Sequence, residues 1–565
     1  LYDSGAGTLL NVALSTAQAT RLVAVIGRLR GQGVAAAQLK AAIARVDAEG
    51  NPGTTMDDLS REEERDTDLP GTAYELAKRP DFWGAPLTGT RWLRDPGSGR
   101  QLPVRLTRAE GRRLRRVLAR LMADGVADTT PFVEELNKAS LMMIPASVTI
   151  ARLRLIQRNL RRTVLVRLRA DHRLIRDLTR SRRTGDRILP RDFDTAFQSV
   201  EIPGSDPHKG GQVVVFVNYR TRGGRDLRVV YKPADLTIDS LLYNDADSVA
   251  ANLGTDLSSY RMLSRTDDTA DVRHRHYGYM EFVKSGGPQS AAQLRSVFRS
   301  LGANLALAYV FGLRDIHKEN FLLLDDRIQF IDMEAATGRF TGFGTMDMDE
   351  LTGRLCEKIA DSLRGLGRDA ARAEVPSTDD LKSEIRAGFR DKLAEMGPRR
   401  GDPHGVDAAV GRFMQATARF VPFKTAELQQ RAGLFHGQLN PPDEETRTLY
   451  DNSTDRLARE AADEAGAPDG LEAAFQTMLR APATMAAFHT GDVPFWTHRD
   501  RNVYGEDGAL QVPDLPHPRL GSTAHNARTA RSRLRPERAG VAMRRLNRQA
   551  LPLFGDIAAK ILAKL

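Results

Sequence analysis

Arg314-Asp315-Ile316-His317-Lys318-Glu319-Asn320, followed by Ile331-Asp332-Met333-Glu334, is the stretch on which the reading of this chain turns. It carries Asp-x-His-x-x-Asn and, twelve residues after the Asn, a second Asp behind an apolar strand. That is the layout of a phosphoryl-transfer site. Asp315 or His317 can handle the proton of an attacking hydroxyl, while Asn320 and Asp332 can share the magnesium ion that neutralises ATP phosphates. Mg²⁺ takes hard oxygen ligands and keeps part of its shell for phosphate, and a loop followed by a short strand delivers such ligands side by side. Glu334, two residues past Asp332, can assist the metal or orient the loop.

Outward from that stretch two textures alternate. Gln212-Val213-Val214-Val215-Phe216-Val217 and Leu227-Arg228-Val229-Val230-Tyr231 are β-rich with a turn at 221–224, and together predict a hairpin. Residues 277–283 read as another strand. Residues 291–313 read as a helix with a largely apolar face, and strands at 321–324 and 327–331 flank the turn Asp325-Asp326. Residues 1–50 read helical and 50–72 as an acidic, polar linker. Residues 107–189 read mostly helical until Pro190 breaks the run. Helices are expected again over 349–396 and 405–435, near 455–489 and over 540–563. The class is α+β. The expected divisions are 1–72, a mainly helical 73–195, a β-rich 196–288, a helical 289–440 and a mixed extension over 441–565. A β-rich lobe over a helical lobe suits ATP binding in the cleft between them.

Within this order Lys232 ends the strand Val229-Val230-Tyr231, where a lysine can pair with ATP phosphates as a point charge. It precedes the Asp-x-His-x-x-Asn loop in the order a kinase needs. Gly204-Ser205-Asp206-Pro207-His208-Lys209-Gly210-Gly211 is a glycine-flanked turn whose N–H groups can cradle phosphate, although a hairpin entry explains it equally well. Tyr279-Met280-Glu281-Phe282 is either the hinge whose backbone binds adenine or an ordinary strand end.

Composition narrows the class further. One cysteine, Cys356, excludes an internal disulfide and a cysteine-rich zinc site, and fits a reducing cytoplasm. No apolar run approaches the ~20 residues of a membrane helix. The net charge of +10 is uneven: residues 152–187 hold thirteen Arg against three Asp, and 519–548 nine Arg against one Glu. Solvated helix faces explain such runs. Aromatic residues do not interleave with them, so nucleic acid is not an expected partner.

The blocks Gly204-Ser205-Asp206-Pro207-His208 with Gly210-Gly211, Val230-Tyr231-Lys232-Pro233, Tyr277-Gly278-Tyr279-Met280-Glu281-Phe282, Asp315 to Asn320 and Ile331 to Glu334 together resemble the dehydratase domain of class II lanthipeptide synthetases, the LanM family. Gly491-Asp492-Val493-Pro494-Phe495 is similar to that family's Gly-Asp-Ile-Pro-Tyr-Phe. The resemblance runs from about residue 150 to near the C-terminus. It implies a lipid-kinase-like bilobal core and a two-step reaction: ATP phosphorylates a Ser or Thr of a precursor peptide, then phosphate is eliminated to leave a dehydroamino acid. It gives Lys232 to ATP, Asp315 and His317 to phosphoryl transfer, and Asn320 and Asp332 to magnesium. Asp206 and His208 match family positions needed for activity.

Elimination needs a base for the α-proton and cations for the leaving phosphate. The resemblance implies an Arg and a Thr six residues apart, and Arg419 and Thr425 have that spacing, with Lys424 beside them. Phe423 and Leu428 depart from the family pattern, which has Arg and Tyr there. The family's cyclase zinc is held by two Cys and a His, which a lone Cys356 does not match. The expectation is therefore a stand-alone, cytoplasmic dehydratase that uses ATP and Mg²⁺, binds a precursor peptide and either works with a separate cyclase or leaves its product uncyclised. The rivals are a kinase without elimination and a catalytically silent peptide-binding module.

Overall fold

The protein is described by a computed structural model. Described are residues 108–565, apart from 130, 133–134, 137–145, 204–207, 245–247, 254–256, 258, 269–271, 314–315, 334–347, 398–405, 436–443, 467–469, 491, 518–519 and 521–522, together with four short strands before residue 108. The chain divides into two compact units, Leu1–Lys78 and Arg79–Leu565. In the first, Tyr2–Asp3 and Thr8–Leu9 pair as antiparallel strands where a helix was expected. The rest of the expected helix over 1–50, and the linker over 50–72, lie outside the described residues.

The second unit opens with an antiparallel pair, Arg91–Arg94 with Gln101–Val104, and the helix Arg108–Ala123. A helical run from 146 to 178 follows and ends at Leu178, twelve residues before Pro190, where the break was expected. Next comes a five-stranded antiparallel sheet of β1 (Phe197–Glu201), β2 (Val215–Arg220), β3 (Asp226–Lys232), β4 (Met262–Thr266) and β5 (His276–Glu281). Its order is β1-β2-β3-β5-β4. Period-two alternation sorts its side chains. Val215, Val217, Tyr219, Val229, Tyr231 and Tyr279 pack with the N-terminal helices, while Val230, Met262 and Met280 pack with the helices that follow. Each fully buried Val of this set contributes about 1.5–3 kcal/mol relative to exposure.

Within the Arg-rich stretch 152–187 some arginines serve this packing and others pair at the surface. Arg167 is buried, donates to the Tyr231 hydroxyl at 3.1 Å and lies 3.9 Å from the Tyr277 ring centroid. Arg180 and Arg187 both pair with Asp177, and Arg169 with Asp194.

The long helix Ala291–Phe311 is buried on all sides beyond Ser300. Ser290 caps its start by accepting from the Gln293 N–H at 3.3 Å. Gly312, at φ +66°, ends it in the left-handed conformation. The strands β6 (Phe321–Leu323) and β7 (Ile328–Phe330) form the expected hairpin. The expected helix over 349–396 is three helices, Met348–Leu363, the short Arg368–Ala373 and Thr378–Met396, separated around Gly367 (φ +85°) and Pro376. Pro552 and Gly555 likewise divide 540–563 into short pieces.

One segment departs more sharply. Instead of a helix over 405–435, the chain forms Val406–Gln415, then strand β8 (Ala418–Phe420), then the helix Thr425–Phe435. Pro422 disfavours helix at the residue before it. The stabilising partner of β8 is remote: it pairs with β9 (Trp496–Arg499), which continues to β10 (Asn502–Tyr504) and β11 (Leu510–Val512) in one antiparallel sheet. That sheet crosses the expected boundary at residue 440. The fold is α+β with antiparallel sheets. No helix among the described residues is long and apolar enough to cross a membrane.

Candidate active site

Lys232 is the last residue of β3 and is buried, paired in register with Gly278. Its ammonium lies 2.5 Å from Asp332 Oδ1 and 3.4 Å from Asp239 Oδ2. Asp239, on the helix Thr237–Tyr243, is fully buried, and its Oδ1 accepts the Met333 N–H at 3.2 Å. A buried carboxylate needs such compensation, because an unpaired charge in a dry interior is strongly disfavoured. Asp239 thus ties the lysine to the backbone just beyond Asp332. No motif marked it in the sequence.

The hairpin places the two candidate metal ligands. Phe321 opposes Phe330, and the Ile331 N–H donates to the Asn320 carbonyl at 3.0 Å, which extends the ladder by one rung. Asn320 and Asp332 therefore emerge together at the open end of the hairpin. Asp332 sits at φ +63°, in the left-handed region that Asp tolerates better than most residues. The Asn320 N–H donates to the His317 carbonyl at 3.1 Å, and the Glu319 N–H donates to His317 Nδ1 at 3.3 Å. An accepting Nδ1 leaves the proton of the neutral ring on Nε2. Asp315, Asp206 and Glu334 lie outside the described residues.

A second cluster assembles around His208. Its Nδ1 lies 3.1 Å from the Val493 carbonyl and its Nε2 lies 3.3 Å from Arg419 Nη2. Arg419 comes from β8, opposite Thr497. Burial, then the Arg419 charge, push the His208 ring down to about 3, while Asp332 pulls the other way. The ring is therefore neutral at neutral pH. Phe495 stands edge-on to His208, with the Lys209 ammonium 3.7 Å and the Arg419 guanidinium 5.2 Å from its centroid. A guanidinium and an ammonium held together in this way suit a phosphorylated group.

Residues 149–367 match the family described as a domain of unknown function, DUF4135. Over 145 residues the chain is 26% identical to a lacticin 481/lactococcin biosynthesis protein, LcnDR2, of Lactococcus lactis subsp. lactis. That alignment covers 25% of this chain and 14% of the relative. These two matches support a resemblance of the central part of this chain to lanthipeptide synthetases of the LanM type.

Within the matched stretch the structure brings Lys232 to Asp332, with Asn320 beside Asp332 across the hairpin and His317 joined to Asn320 by one backbone hydrogen bond. Glu281 ends β5, and its carboxylate accepts from Arg182 at 2.6 Å and from the Arg261 N–H at 3.3 Å. Its own N–H donates to the Arg261 carbonyl within the sheet. The segment beyond it links sheet to helix and is held to the hairpin by the Gly286 N–H on the Leu323 carbonyl at 2.8 Å. Arg419 and Thr425 lie beyond residue 367, outside the stretch matched to the domain. Arg419 meets His208 and Phe495, whereas Thr425 stands half-buried at the first position of its helix, next to a Lys424–Glu464 ion pair. Phe423 and Leu428 are core residues: Phe423 packs edge-on against Phe475 and Trp496, and Leu428 joins the same cluster.

Proposed function

We propose that the chain is a LanM-like peptide dehydratase acting on Ser and Thr of a ribosomal precursor peptide. Its first step joins the peptide hydroxyl oxygen to the γ-phosphorus of ATP as the bond to ADP breaks. Its second removes the α-proton and breaks the Cβ–O bond, so that phosphate leaves and dehydroalanine or dehydrobutyrine remains. The observation that carries this reading is the Lys232–Asp332 contact at 2.5 Å at the mouth of the Asn320–Asp332 hairpin. That contact sets a cation against a carboxylate at the end of the hairpin that Asn320 opens.

Mg·ATP supplies the phosphoryl group and screens its charge when bound. The donor chemistry of the site fits: one amide oxygen and one carboxylate are what Mg²⁺ takes when phosphate and water complete its shell. Asn320 and Asp332 would hold the ion. Lys232 is the cation for the phosphate oxygens, and Asp315 or His317 receives the hydroxyl proton. Arg419, with Lys209 and His208 beside it, holds the departing phosphate, and Thr425 is assigned to the same step. The five-stranded sheet and the helices after residue 290 support a lipid-kinase-like bilobal core, with Glu281 at the connection.

A second reading has a specific observation behind it. Phe423 and Leu428 are buried where the family pattern has Arg and Tyr, which favours a kinase that stops at the phosphopeptide. Co-expression with a candidate precursor peptide, followed by mass spectrometry, separates the two. Loss of one water per modified residue supports the dehydratase. Gain of phosphate without water loss selects the kinase, and an unmodified peptide together with no stabilisation by Mg·ATP sinks both.

A further inference from the structure

One buried carboxylate has no part in the steps above. Asp492 is 1% exposed, and both its oxygens accept backbone N–H groups: Gly210 on Oδ2 at 2.6 Å and Val493 on Oδ1 at 2.9 Å. Its own N–H donates to the Ala487 carbonyl at 2.9 Å, in the helix Pro482–Thr490. The Gly210 side of this clamp is an unusual turn. Lys209, Gly210 and Gly211 lie at φ +50°, +82° and +87°, three left-handed residues in succession. The two glycines adopt this conformation freely, and Lys209 is the residue held there against a steric penalty. A Cβ on Gly211 would stand 2.5 Å from the Leu155 carbonyl carbon, so this turn is pressed against the helix Ala146–Asn159.

His208 stands between the two clamped amides. It pairs with Gln212 in both directions, at 3.1 and 2.8 Å, across the turn that Asp492 holds. Val493, whose N–H sits on Asp492, offers its carbonyl to His208 Nδ1. A carbonyl oxygen only accepts, so Nδ1 bears the proton and Nε2 is the bare nitrogen that accepts from Arg419. The charged groups acting on the pair are Arg419, Lys209 and Asp332 around His208, and Arg152 and Glu506 around Asp492.

We propose that Asp492 is a positioning residue: by holding the Gly210 and Val493 amides it locks His208 in its Nδ1–H tautomer and so aims the Arg419 guanidinium. The link to elimination rests on the reading that Arg419 holds the leaving phosphate. The clamp makes a prediction that needs no peptide.

In the whole chain labelled with ¹⁵N-histidine, ring-nitrogen shifts report the tautomer, and His208→Gln identifies the His208 signal among the eleven histidines. The wild type is expected to show His208 as Nδ1–H at neutral pH, and an Nε2–H ring overturns the proposal without any further variant. Asp492→Asn, which sets an amide N–H against a backbone N–H, is expected to move His208 toward the Nε2–H form, and Asp492→Glu to restore part of the original signal. A folded Asp492→Asn protein with unchanged His208 shifts also overturns it. On a co-expressed precursor peptide, Asp492→Asn should raise the ratio of phosphorylated to dehydrated product about tenfold while phosphorylation persists. An equal loss of both products breaks the link to Arg419. Because the tautomer readout uses the protein alone, it decides the positioning role even where the wild type leaves the peptide unmodified and the dehydratase reading falls.

Discussion

The Lys232–Asp332 site and the His208–Arg419 cluster are built in opposite ways. Asn320 and Asp332 belong to one hairpin, and the chain between them is a short two-stranded ladder. His208 reaches Arg419 across 211 residues and the Val493 carbonyl across 285. The first site opens at Asp332, whose side chain is 38% exposed beside the buried Lys232, whereas in the second Asp492 is buried and His208 half-buried. A local hairpin can place polar groups at a surface because its own ladder holds them. The distant cluster needs packing from several directions, and packing excludes water. The enclosed cluster should therefore be sensitive to shape and pH, and the open one to charge.

The largest effect expected is that of Lys232→Met. It leaves Asp239 buried without its cation, and removing one partner of such a pair costs about 3–5 kcal/mol. Urea unfolding measures this, and a midpoint equal to wild type would show that Asp239 is not charged in the fold. Asp332→Asn keeps the shape and removes one charge. Phosphate transfer to a peptide should drop about 10²–10³-fold, with thermal stability close to wild type. Retained transfer would remove Asp332 from the site.

Gly211→Ala tests the enclosed cluster by shape. The left-handed backbone and the clash with Leu155 together are expected to cost about 1–3 kcal/mol, read as a lower unfolding midpoint. His208→Gln tests it by pH. Above about pH 6.5 the ring is neutral in both the folded and the unfolded chain. As the pH falls from about 6.5 toward about 3, the unfolded ring takes up a proton that the buried ring refuses. Stability then declines by up to ~1.4 kcal/mol per pH unit. The Gln variant lacks this loss, so its stability gap to wild type should narrow on acidification. Asp492, raised to about 7 by burial, and Glu506, raised to about 8, respond with the opposite sign and are present in both proteins. A gap that is constant with pH would show His208 to be solvated.

How much of this was legible in the sequence follows the same division. The β2–β3 hairpin, the helix Ala291–Phe311 and the β6–β7 hairpin were read from local periodicity, and they carry Lys232, Asn320 and Asp332. The twelve-residue interval between Asn320 and Asp332 corresponds to a real structural unit, so spacing sufficed. Strand β8 was missed because three residues between two helices have no period of their own, and the Trp496–Arg499 partner lies too far away to be inferred locally. The same limit hid β10 and β11. Asp239 was missed because a lone carboxylate in Thr237–Tyr243 resembles a surface residue until tertiary structure encloses it. Asp492 was quoted only as part of a family block, and its role became visible once the Gly210 amide was seen against it.

The distance between His208 and its carbonyl partner also has a consequence in time. Chains emerge from the ribosome at about 5–20 residues per second, N-terminus first. The hairpin with Asn320 and Asp332 is complete within about a second or two of its first residue. Val493 arrives 285 residues after His208, roughly 15–60 seconds later at that pace. During that interval the nascent chain holds one finished centre and one unfinished one, so the two acquire their chemistry in the order in which the proposed reaction would use them.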